Sequence, residues 1–172
     1  MHLSAQESSE ASDRIINALD MAAAETEAVA EAGGSHAPNP LLMGLSGSQY
    51  VLRAVSDVRA NDLEPTLMTL PFPDALRILE MAREWLRDAL KVELTIRVVV
   101  ILLHAHQAQF AASPACRPLL AELQRAMRGR VQALKNVMGF NLAGLQHVHG
   151  RAAARSQAPQ ALPVKRKALD LA

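Results

Sequence analysis

From Leu119 to Val148 the apolar residues recur at helical spacing: Leu119, Leu120, Leu123, Met127, Val131, Leu134, Val137, Met138, Leu142, Leu145 and Val148. A regular run of that length commits this part of the chain to helix. Within it lies Asn136 to Leu145, read as NVMGFNLAGL, where Gly139, Ala143 and Gly144 around Phe140 keep one side of the helix thin. A glycine inside a helix costs about 1 kcal/mol relative to alanine, so two in so short a stretch need a physical reason. Close approach of a neighbouring helix supplies one. The neighbour can belong to the same chain or to a partner, and a leucine at Gly144 is expected to break the packing in either case.

The rest of the chain has the same helical character. Alanine, leucine and valine dominate, and only five residues are aromatic, which disfavours sheets. A first helix is expected from a Ser12 cap to Ala32, stopped by Gly33 and Gly34. A connector through Pro38 and Pro40 leads to a second helix, opened by Ser46 or Ser48 and reaching Arg59. Asn61 or Asp62 caps a short third helix, which Pro71 ends, and Pro73 stands early in a fourth that runs to Leu90. A fifth spans Val92 to Ala111, apolar all round at its centre, and the long sixth region reaches Ala154. Gly129 and Gly139 are places where that last helix can bend. These expectations describe an all-α antiparallel array of about six helices over residues 12–154. A flexible N-terminus (1–11) precedes it, and a disordered basic tail (155–172) follows.

Little in the chain points to catalysis. Cys116 is the single cysteine, so neither an internal disulfide nor a multi-cysteine zinc site can form. His104 and His106 lie about 200° apart around a helix, as do His147 and His149, so neither pair can share a metal. Gly33-Gly34 lacks the lysine of a phosphate-binding loop. We expect no catalytic residue, no cofactor, no metal and no small-molecule substrate. The most apolar run, Val98 to Leu103, is far short of the roughly 20 residues a membrane span requires.

Charge is distributed unevenly: residues 1–40 hold seven acidic residues and one basic, whereas from Arg117 onward ten are basic and two acidic. Lys165, Arg166 and Lys167 form a short basic cluster suited to nuclear import or phosphate contact. The cluster has no interleaved aromatics for base stacking.

Five segments in order resemble the C-terminal helical domain of the Utp-twelve family of nucleolar WD-repeat proteins. They are SDRIINALD (Ser12 to Asp20), NPLLMGLSGSQYVL (Asn39 to Leu52), LPFPDALRILE (Leu70 to Glu80), VELTIRVVVILLHAH (Val92 to His106) and VMGFNLAGLQHV (Val137 to Val148). The resemblance implies a non-catalytic scaffold of the small-subunit processome, acting in the nucleolus in pre-rRNA processing. It implies pairing with the helical domains of other processome WD-repeat proteins, and association, through them, with pre-rRNA and the U-three small nucleolar RNA. In the family, tandem β-propellers stand ahead of this domain. From another class, a basic helical RNA-binding module acting without protein partners would also suit the charge of the C-terminal part.

Overall fold

A computed structural model describes residues 2–32 and 39–157, with side chains from Gln6 onward. Among the described residues every regular element is helical, as expected of an all-α chain. They comprise α1 (His2–Glu31), α2 (Gly47–Ser56), α3 (Leu63–Met68), α4 (Phe72–Arg87), α5 (Val92–Ala105), α6 (Gln107–Ala112) and α7 (Arg117–Gln157). Short 3-10 turns occupy Pro40–Leu42 and Pro114–Cys116. The chain divides into two compact units, Met1–Val131 and Gln132–Ala172. Most of the expected tail, including Lys165, Arg166 and Lys167, lies outside the described residues.

Helix α1 starts well ahead of the Ser12 cap. Its buried stripe runs Ser8, Ala11, Ser12, Ile15, Ala18, Leu19 and Ala22. The early members are small or polar, so a search for large apolar residues finds the stripe only from Ile15 onward. Small side chains there let a second helix come close. At Gly47, the first residue of α2, an added Cβ would stand 2.9 Å from the Cβ of Ala22. A reciprocal cap fixes that start: Ser46 Oγ accepts from the Gln49 amide at 3.2 Å, and Gln49 Oε1 accepts from the Ser46 amide at 3.4 Å.

Helix α4 packs against α1, α2 and α5. Ala75, Ile78, Leu79, Ala82, Trp85 and Leu86 are all buried, a broad apolar stripe facing the other helices. The Trp85 indole N–H donates to the Ser48 carbonyl at 3.1 Å and to Ser48 Oγ at 2.9 Å, tying α4 to α2. Arg77 ties it to α1, donating to Asp20 and Asp74 at 3.0 Å each and to the Leu19 carbonyl at 2.6 Å. Burial alone would lower the Arg77 pKa, but the two carboxylates raise it more, so the guanidinium is held above its ordinary value. The sign means that this contribution is present throughout the range below the ordinary arginine value, and only strong alkali removes it.

Helix α4 closes with Ala89 in the left-handed region (φ 58°). The Leu90 amide donates to the Trp85 carbonyl at 2.8 Å and the Ala89 amide to Leu86 at 3.3 Å, the hydrogen-bond pattern of a Schellman cap. Lys91 (φ 38°) then opens α5. The single fifth helix expected over Val92–Ala111 is instead broken at His106 into α5 and α6. Tertiary packing is the reason. The break sets the buried His106 and Phe110 rings against Phe72 at the start of α4, with centroids 5.8 and 5.0 Å away.

Candidate interaction surface

Helix α7 changes character along its length. Its first part belongs to the core of the first unit, where Leu123 is buried and Leu119, Leu120, Ala126 and Met127 pack against the same cluster. Arg83 and Glu122 pair at 3.1 Å. Arg130 donates through Nε to the Leu86 carbonyl at 2.5 Å and through Nη2 to the Arg87 carbonyl. A cation on the last carbonyls of α4 satisfies acceptors that the helix leaves open and suits the negative end of its dipole.

Beyond Val131 the apolar period continues, but its side chains are exposed. Leu134, Val137, Met138, Leu142, Leu145 and Val148 are 48–70% accessible, and Phe140 reaches 80%. At about 100° per residue, the first six fall within an arc of about 140°. That is the width of a core-facing stripe, here exposed. A contiguous exposed apolar patch of this kind marks an interaction surface.

The small residues singled out from sequence stand on this same segment, but not together on one face. Gly139 and Ala143 are adjacent, i and i+4, on the side of the helix opposite the apolar stripe. Gly144 lies about 100° further round and borders the stripe, with Phe140 between the two sides. An added Cβ at Gly139 or Gly144 would meet nothing within 4 Å. Among the described residues, then, nothing is packed against Gly144 for a leucine to displace. The glycine that close packing does require is Gly47, which sequence reading passed over between two candidate capping serines.

The large residues of this surface are apolar, and the charges beside them are of one sign. Between Gln132 and Gln157 there are three cations, Lys135, Arg151 and Arg155, and no carboxylate. The signal was present in the helical period itself, which runs on past the point where the core ends.

The other candidates stay apart. His104 is exposed while His106 is buried, as their spacing requires. The Cys116 thiol is buried and donates to Ser113 Oγ at 3.4 Å. Among the described residues no group of three His, Cys, Asp or Glu side chains could hold a metal, and no helix is long and apolar enough to cross a membrane.

Comparison with known proteins adds an independent finding. The model of the Dip2/Utp12 family matches residues 47–150, a span that takes in the whole exposed stripe. The chain is 30% identical over 163 residues to WD repeat-containing protein 3 of Mus musculus, an alignment covering 88% of the chain and 17% of the relative. Identity and coverage are the same for WD repeat-containing protein 3 of Homo sapiens. The WD repeat-containing protein 3 homolog of Dictyostelium discoideum is 31% identical over 112 residues, covering 64% of the chain and 12% of the relative. The chain thus spans 17% of the length of the mouse and human relatives.

Proposed function

Because the chain belongs to the Dip2/Utp12 family, we propose that it is a non-catalytic scaffold domain of the small-subunit processome. In this reading it acts in the nucleolus in pre-rRNA processing and small ribosomal subunit biogenesis. Its helices pair with the helical domains of other WD-repeat proteins, and pre-rRNA and the U-three small nucleolar RNA are reached through those partners. The observation that carries the proposal is the exposed apolar stripe from Leu134 to Val148. Fully burying such a side chain is worth about 1.5–3 kcal/mol, so the stripe in sum is of the same order as the costs of association.

The test is purification of the tagged chain from its own cells at moderate salt, with mass spectrometry of the proteins and sequencing of the RNA. Processome WD-repeat proteins should be recovered with the wild-type chain. They should be lost from a variant carrying Met138→Asp and Leu145→Asp whose melting temperature is unchanged, because both residues are exposed in the free chain. Recovery of RNA alone, falling steeply with salt as phosphate contacts do, would support the RNA-binding alternative instead.

A further inference from the structure

The charges around the stripe specify what can lie on it. Lys135 stands just beyond Leu142 around the helix, flanking one edge of the stripe near its start. Arg151 and Arg155 stand on the other edge near its end, about 24 Å further along the axis. All three are exposed, and no carboxylate between Gln132 and Gln157 balances them. The stripe is therefore an apolar strip of about four turns with cations at diagonally opposite corners.

A second copy of this segment is a poor occupant. Laid face to face in either direction, its cations fall on the diagonal that the first copy leaves empty, so six cations line one seam and none of them meets a carboxylate. That arrangement suppresses wrong pairing. The carboxylates of the chain are concentrated on α1. The apolar face of α1 is already buried through Ala11, Ile15, Ala18, Leu19 and Ala22, so it cannot serve as the docking helix. A nucleic acid would match the cations but leave the strip between them uncovered.

We propose that residues 134–155 dock one amphipathic helix of a different protein, about four turns long, whose apolar face is flanked by Asp or Glu side chains opposite Lys135 and the Arg151–Arg155 pair. This rests on the scaffold reading above and names the chemistry of the partner. The apolar face supplies the area, and the acidic flanks set partner choice and register.

Site-specific photo-crosslinking from p-benzoylphenylalanine at Met138, in the full chain and in its own cells, tests it. The expected adduct is a peptide of another protein with helical apolar period and acidic flanks. Combined Lys135→Glu, Arg151→Glu and Arg155→Glu, with melting temperature unchanged, should lower its yield by about tenfold. The combination K135R, R151K and R155K should keep the yield. An adduct on this chain's own peptide, on RNA, or on a helix without acidic flanks would overturn the proposal, as would a yield indifferent to charge reversal. Absence of an adduct while processome proteins still co-purify would overturn this surface alone. Absence of both would remove the scaffold reading with it.

Discussion

A methyl group placed at Gly47 would sit 2.9 Å from the Cβ of Ala22 and 3.0 Å from its Cα, closer than packed carbon atoms approach. The backbone of α1 cannot yield as a flexible side chain would, so α2 must shift. Gly47→Ala is expected to destabilise the chain by about 1–3 kcal/mol, the ordinary cost of overpacking, measured by urea unfolding. An unchanged midpoint would show that the two helices can part at no cost. Ala89 presents the converse case, a side chain where the backbone favours none. Its φ of 58° suits glycine at the close of α4. Ala89→Gly should stabilise by about 1 kcal/mol, less the extra freedom glycine gains in the unfolded chain. A lower melting temperature in that variant would contradict the left-handed cap. Neither position is legible in the sequence, because the need for a small residue at 47 and the left-handed backbone at 89 are set by how the helices pack and end.

At the scale of elements, local signals found most helices and misjudged some ends. The Ser46–Gln49 box and the prolines at 71 and 73 act at short range, so the starts of α2 and α4 agree with the sequence expectation, whereas α2 ends at Ser56 rather than Arg59. The start of α1 and the break at His106 depend on partners distant in sequence. Ser8 and Ser12 are buried only because small residues suit the neighbouring helices, and the chain turns at His106 so that Phe110 can reach Phe72. The α7 segment beyond Val131 shows the opposite case. Its period was fully legible, but periodicity cannot say whether a stripe faces its own core. Since Gly139 and Gly144 meet no neighbour, they weaken this helix for no internal gain. Gly139→Ala with Gly144→Ala should raise helicity and stabilise the segment by about 1 kcal/mol per site, read by circular dichroism. A fall in helicity would mean that the glycines serve a contact within the chain.

For the whole molecule, every buried described side chain lies at or before Leu123. Ending the chain at Val131 should therefore leave a cooperatively folding unit whose melting temperature is within a few degrees of the parent, while partner binding is lost. A collapse of the transition would show that the removed residues supply core. The separation also explains what sequence could convey about function. An all-α class and a family resemblance follow from patterns spread over the chain. The site depends on which apolar stripe stays uncovered, and only the three-dimensional arrangement reveals that.

The single tryptophan lies in that first unit, 1% accessible, with its indole N–H held by Ser48. Its emission is therefore a built-in optical gauge of the α2–α4 junction, blue-shifted while that junction is intact and red-shifted when it opens. Since no other indole contributes, titrating a ligand onto residues 134–155 should leave the spectrum unmoved. A spectral shift during such a titration would report a change at Ser48 rather than occupancy of the stripe.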